Sequence, residues 1–305
     1  MAFDLSKPLV IGISSRALFN LELENDIFEK EGVTAYEDYQ IAHEKDILSK
    51  GSAFQLVKAF LELNKRSEER LVEVIIMSQN NPNASLRIFN SIEHYGLDIT
   101  RAALTSGAEI TPYLQAFKAD LFLSANASDV QLAINKGVAA GQILTGPSNA
   151  NESEKVEQIR IAFDGDAVLF AAEAERVFQK QGMAAFDAHE QTLKNQPLEK
   201  GPFANFLMAV SNLQKLFQDS EKLPIRTALV TSRSAPAHER AIKTLRAWNI
   251  RIDEAFFLGG ASKKDVLAAF GAHIFFDDSI AHAGSASEVV PSALVPYRDG
   301  DNPKE

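Results

Sequence analysis

Ile159-Arg160-Ile161-Ala162-Phe163-Asp164-Gly165-Asp166 is an apolar run that stops on two carboxylates separated by one glycine. Such a run reads as a strand buried on both faces, the kind that parallel sheets use. Its end delivers Asp164 and Asp166 to one spot, where a carboxylate pair can hold a divalent cation and attack phosphorus. Taken alone, Asp-x-Asp also describes an ordinary turn. The order of the downstream segments gives it weight: a second apolar run ends in Thr231-Ser232-Arg233, Lys263-Lys264 comes next, and a third run ends in Asp277-Asp278.

Further apolar runs at 9–13, 72–77, 102–105, 121–124, 227–230, 254–258 and 274–276 alternate with helical patterns, which predicts an α/β architecture with parallel sheets. Over 235–249, Ala241, Leu245 and Trp248 share one helical face, with Pro236 expected in the first turn. The polar, turn-rich stretch Thr145-Gly146-Pro147-Ser148-Asn149-Ala150-Asn151-Glu152-Ser153 marks the expected boundary between a domain 1–150 and a domain 151–305. The segment of about 171–222 is too long for a simple crossover, and a helical cap is expected there. Within it Phe203, Phe206, Leu207, Val210, Leu213 and Phe217 fall at helical spacing, more as a core face than as a substrate stack. The tail from Arg298 is expected to fray.

The 305 residues suffice for two domains, and 46% hydrophobic with 24% charged residues is a globular composition. No apolar stretch approaches the roughly 18 residues of a membrane span, and the first residues lack the order of a signal peptide. Without cysteine there is neither disulfide nor thiolate metal site, which fits a reducing cytoplasm. A net charge of −10 with scattered basic residues argues against a nucleic-acid partner. Gly-x-Ser-x-Gly, His-Glu-x-x-His and the P-loop pattern are all absent, and His238 reads as a packed or surface histidine.

The two halves resemble each other. At a shift of 150, Ile11-Gly12-Ile13-Ser14-Ser15-Arg16 overlies Ile161-Ala162-Phe163-Asp164-Gly165-Asp166. With a few inserted residues, Met77-Ser78-Gln79 overlies Thr231-Ser232-Arg233, and Ser124-Ala125 overlies Asp277-Asp278; Lys263 corresponds to Ile110. Polarity repeats and reactivity does not, so the expectation is two similar α/β units, the first disarmed. Three roles stay open for the first: a buttress, an oligomer interface in a homo-oligomer, or an effector-nucleotide site at Ser14, Ser15, Arg16, Ser78, Gln79 and Asn80.

In an open parallel sheet ligands bind at the carboxyl ends of the strands, where these groups converge. Phosphoryl transfer needs a nucleophile, charge neutralisation and an acid for the leaving oxygen. Asp164 suits the nucleophile and Asp166 the acid and base. Asp277 and Asp278, with the first two acids, suit Mg²⁺. Thr231 and Lys263 suit the phosphate, with Lys264 a competitor for Lys263, while Gly165, Ser232 and Arg233 are the expected substrate contacts.

This ordered set resembles the haloacid dehalogenase-like phosphohydrolases. More narrowly, Ile161-Ala162-Phe163-Asp164-Gly165-Asp166-Ala167-Val168-Leu169-Phe170, Ser234-Ala235-Pro236-Ala237-His238-Glu239-Arg240 and Phe275-Phe276-Asp277-Asp278 look like the cytosolic 5′-nucleotidase I family. So do Ile13-Ser14-Ser15-Arg16-Ala17-Leu18-Phe19 and Ser78-Gln79-Asn80-Asn81-Pro82, so the resemblance covers nearly the whole chain. It implies Mg²⁺-dependent hydrolysis of nucleoside 5′-monophosphates such as AMP through an aspartyl-phosphate. Alternatives are a phosphatase of another small monoester and a silent nucleotide-binding scaffold. One departure, Ala171-Ala172 where the family pattern has Ser-Asp before the glutamate, touches the cap hinge.

Overall fold

The structure is a computed structural model that describes residues 3–144 and 156–302. Within them the apolar runs become β1 (Leu9–Ile13), β2 (Val72–Ser78), β3 (Arg101–Leu104), β4 (Leu121–Ser124), β5 (Ala139–Ile143), β6 (Ile159–Phe163), β7 (Ile225–Thr231), β8 (Glu254–Phe257), β9 (Ile274–Asp277) and β10 (Ser292–Leu294). They form one ten-stranded sheet in the order β3-β2-β1-β4-β5-β10-β9-β6-β7-β8. β1, β2, β4 and β9 are buried along their whole length, because helices cover both faces of the sheet. The expected α/β architecture is therefore present.

The order splits into β3-β2-β1-β4-β5 and β8-β7-β6-β9-β10, two units with the same winding that meet through their fifth strands. All neighbours are parallel except β5 and β10, which are antiparallel. The carboxyl ends of the two units consequently lie on opposite edges of the sheet. The expected boundary at 145–153 lies outside the described residues; on either side of it, one hydrophobic core runs from Leu9 through Phe163 to Val295.

β5 and β10, the joint itself, carry no strand signal. β5 reads Ala139-Ala140-Gly141-Gln142-Ile143 and β10 has only three residues, both short of the β-branched content that marks a strand. Small residues are needed here: a Cβ on Gly141 would stand 2.9 Å from Ala293 Cβ and 3.1 Å from Phe276 Cε1.

The register refines the internal overlay. Ile13 pairs with Ile76 and Ile11 with Leu121; Phe163 pairs with Leu229 and Ile161 with Ile274. Ser78 therefore matches Thr231, and Asn80 matches Arg233. The sequence overlay had set Met77 on Thr231, one residue out, because it leaned on Pro82 and Pro236 in the loops beyond the strands. Ser124 and Asp277 match as expected.

Three expectations change. The helix predicted over 235–249 is His238–Ala247, and Pro236 sits in the preceding turn after a cis peptide bond rather than in the first helical turn. In the 171–222 segment, helices Glu173–Gln181 and Met183–Thr192 form a hairpin, while Ala204–Lys215 belongs to the core. Phe203 and Phe206 at its start pack edge-on or tilted around Phe163 and Phe276, with Phe203 and Phe276 centroids 4.5 Å apart. The tail is tied down as far as it is described: Asn135 Nδ2 donates to Asp299 at 2.7 Å and Arg176 pairs with Asp301 at 2.8 Å.

Candidate active site

β6 lies between β7 and β9, so the chain winds outward through β7 and β8 and then returns to the other side of β6. A reversal of this kind is where open parallel sheets place their ligands, here at the carboxyl ends of β6 and β9. Asp164 N donates to Phe276 O at 2.8 Å, which sets Asp164 beside Asp277 as the two strands end. Carboxylate oxygens of Asp164, Asp277 and Asp278 lie within 4.8 Å of one another.

Lys263 is the first residue of helix Lys263–Phe270, whose N-cap Ser262 accepts from Lys264 N. That phase turns Lys263 inward, where Nζ donates to Asp164 Oδ1 at 2.7 Å and to Asp277 Oδ2 at 2.6 Å. Lys264 points outward to Glu288. Helix phase thus places Lys263, and not Lys264, beside the acids.

Burial pushes the Asp164 carboxyl well above the usual range; the Lys263 ammonium opposes this, and Asp277 and Asp278 add to it. Burial and Asp277 together raise Asp278 to about 6. Burial would raise Asp277 too, but His282, Lys263 and the Ser279 N–H outweigh it and hold the group low. Burial would lower Lys263, yet its two carboxylates hold it above the ordinary lysine value. Three acids face one ammonium in a buried place, a donor set of oxygens with excess negative charge. Such a set fits a hard divalent cation.

Asp166 departs from the expected metal set. Its carboxylate stands apart from the three-acid cluster, because Arg233 holds both its oxygens at 2.7 Å through Nε and Nη2. Arg233 in turn is buried, and its remaining nitrogen donates to Glu190 and to Ala237 O. Glu190 also accepts from Arg240 Nη1 at 2.8 Å. Arg233, expected against substrate, is therefore a structural fork that links Asp166 to the hairpin helix Met183–Thr192. Sequence spacing carried no signal for this chain of contacts, since Glu190 lies 43 positions before Arg233 on a separate helix.

Thr231 ends β7 buried at the same edge, its Oγ1 accepting from Arg233 N at 3.2 Å. A Cβ on Gly165 would stand 3.1 Å from Thr231 Oγ1, so glycine lets the Asp164–Asp166 loop pass close to that hydroxyl. Ser232 is exposed in the turn beyond the strand. Tyr297, which carries no motif in the sequence, donates its hydroxyl to Asp278. His238 packs edge-on to Phe257 at 5.8 Å, as a packed histidine does.

A doubly wound α/β unit with buried aspartates and a lysine gathered at its switch point defines a haloacid dehalogenase-like protein. The 5′-nucleotidase family profile matches residues 1–302. The chain is 39% identical over 291 residues to human (Homo sapiens) cytosolic 5′-nucleotidase 1B, an alignment covering 92% of this chain and 47% of that protein. The chain belongs to the 5′-nucleotidase family. It spans about half the length of that curated relative. No solved structure matches it. Among the described residues, no helix is long and apolar enough to cross a membrane.

Proposed function

We propose that the chain hydrolyses nucleoside 5′-monophosphates of the AMP type to nucleoside and phosphate. The observation that carries this reading is Lys263 bridging Asp164 and Asp277 at the switch point, within a family of phosphomonoester hydrolases. Asp164 Oδ attacks phosphorus, and the bond from phosphorus to the nucleoside 5′-oxygen breaks. Asp166 gives its proton to that oxygen, then takes one from the water that attacks the phospho-aspartate and restores Asp164. To act so, Asp166 gives up at least one bond to Arg233. Thr231 and Lys263 hold phosphate oxygens, and the Lys263 ammonium offsets part of the rise that burial imposes on the Asp164 carboxyl.

Asp164, Asp277 and Asp278 would hold Mg²⁺, which supplies neutralisation of the phosphoryl oxygens. The first unit serves as the disarmed counterpart of the second, and the hairpin of helices Glu173–Gln181 and Met183–Thr192 serves as the cap. We extend the proposal to a homo-oligomer in the cytoplasm: the human relative's name is cytosolic, and light scattering of the purified chain tests the assembly. The reaction is tested by phosphate release across AMP, IMP, CMP, UMP and sugar phosphates, with Mg²⁺ and with chelator. Release from nucleotides only with Mg²⁺ supports the reading. Release from sugar phosphates alone removes the nucleotide.

A further inference from the structure

The first unit repeats the local design of the second with its charges replaced. Ser14 N donates to Leu123 O at 2.9 Å where Asp164 N donates to Phe276 O at 2.8 Å. Asn80 N donates to Ser78 Oγ at 3.2 Å, as Arg233 N does to Thr231 Oγ1 at 3.2 Å. Asn126 N donates to Ser124 Oγ at 3.1 Å where Ser279 N donates to Asp277 Oδ1 at 2.8 Å. The helical hairpin repeats as well: helices Glu22–Glu31 and Val33–Ala42 turn at Gly32 (φ 87°), and the second pair turns at Gly182 (φ 80°). Phe28 meets Tyr36 edge-on at 6.1 Å as Phe178 meets Phe186 at 6.4 Å.

Between this first hairpin and its sheet edge lies a cavity of about 420 Å³, within the range of small-molecule sites. Its walls combine the rings of Phe28 and Tyr36 with Ser15, Arg16, Asn80 and Asn81. Asn80 Nδ2 is buried there beside the Tyr36 hydroxyl but makes no close hydrogen bond; that hydroxyl, which it can reach only loosely, already receives Gln40 Nε2 at 3.0 Å. A buried amide donor so poorly met gains from a ligand acceptor placed in the cavity.

The charges on the walls select against phosphate. Arg16 is the cation of the lining, and its fork is taken by Glu22 at 2.7 and 3.0 Å and by Asn25 at 2.8 Å. Glu37 adds a carboxylate to the wall, and Ile110 stands where the second unit has Lys263. What remains of a nucleotide site once the phosphate apparatus is removed is a place for a base and a sugar. We propose that this cavity binds an uncharged nucleoside, on the sheet edge opposite the acids, and performs no chemistry on it. The ligand class rests on the proposed phosphatase activity, whose organic product is a nucleoside. Phe28 and Tyr36 would flank the base, and Asn80 Nδ2 would donate to a ring nitrogen or a ribose oxygen.

Calorimetric titration of adenosine, inosine, cytidine and uridine into the full chain tests this, with inorganic phosphate as the anion control. The expected result is saturable binding of a nucleoside at one per chain, weakened at least about tenfold by Asn80→Leu and by Phe28→Ala. Both variants should keep wild-type phosphate release. Asp277→Asn should keep nucleoside binding while losing phosphate release. Phe28 is exposed enough to truncate without unfolding the chain, so the test survives if Asn80→Leu fails to fold. The inference is overturned if no nucleoside binds, if phosphate binds there better, or if binding survives both first-unit variants and disappears with Asp277→Asn. Nucleoside binding through Asn80 in a chain that cleaves no nucleotide would sink the phosphatase reading and leave the site. Cleavage without such binding would do the reverse.

Discussion

The two carboxyl edges of the sheet share a backbone and differ in what it carries. At the second edge Asp164, Thr231, Lys263 and Asp277 crowd a buried place with charge; at the first, Ser14, Ser78, Ile110 and Ser124 occupy the matching positions. The hydroxyls of Ser78 and Ser124 accept from Asn80 N and Asn126 N as Thr231 and Asp277 accept from Arg233 N and Ser279 N, while Ser14 caps Ala17 N. Strand winding alone therefore produces a crevice, and a few side chains decide whether it holds a reaction. The charged edge is also the costly one: burial works against Asp164 and Asp278, whereas the serine edge is neutral and hydrogen-bonded at those points.

Exchanging residues between the edges sharpens the contrast. Giving the second edge the serine of the first, Asp164→Ser, should lower phosphate release at least about ten-thousandfold, since no other group replaces the nucleophile. Thermal melting should stay near wild type, because a buried acid is removed with it. Lys263→Ile, again the residue of the first edge, should lower kcat by roughly a hundred- to a thousandfold. It leaves three carboxylates facing one another, so its melting temperature should drop without Mg²⁺ and recover when Mg²⁺ is added; an unchanged melt would deny that the acids form one cluster.

Arg233→Asn copies Asn80 and removes the fork from Asp166 and Glu190. Breaking a buried pair typically costs about 3 kcal/mol, which denaturant unfolding reads directly. Arg233→Lys should not restore it, because one ammonium cannot reproduce a two-sided planar fork. The smallest effect separates the lower ends of the units. His273 Nδ1 accepts from Arg160 N at 3.0 Å, and burial with Arg160 lowers its pKa to about 4. Asp120 Oδ2 accepts from Val10 N at the matching place, and burial raises its carboxyl. For His273 the unfolded chain binds the extra proton, so its contribution is complete above about pH 6.5 and is lost as pH falls toward 4. The loss should show as a slope between about pH 6.5 and pH 4, and His273→Asn should remove that slope from a pH series of unfolding free energies. Asp120 has the opposite sign, favouring the fold at low pH and losing that contribution as pH rises through its folded pKa.

Much of this was legible in the chain because it is local. Asp164 and Asp277 each terminate a mainly apolar run, and the order of runs fixes which edge they share. Lys263 was narrowed to a pair, and only the phase set by Ser262 chose between its members. The role of Arg233 was hidden, since Asp166 and Glu190 reach it from separate elements. β5 and β10 were hidden for a different reason: residues selected for close approach, such as Gly141, lack the bulk that advertises a strand. The sheet side of the cavity was legible, since Ser15, Arg16, Gln79 and Asn80 stand among the residues named for an effector site, whereas Phe28 and Tyr36 were hidden because the hairpin brings them from farther along the chain.

The central claim is that Asp164 carries the phosphoryl group. Rapid acid quenching of the enzyme during turnover of phosphate-labelled AMP with Mg²⁺, then digestion and peptide mapping, addresses it directly. The account predicts label on the peptide containing Asp164, as an acyl phosphate that hydroxylamine releases. Turnover with no protein-bound label, or label on a different residue, would contradict it.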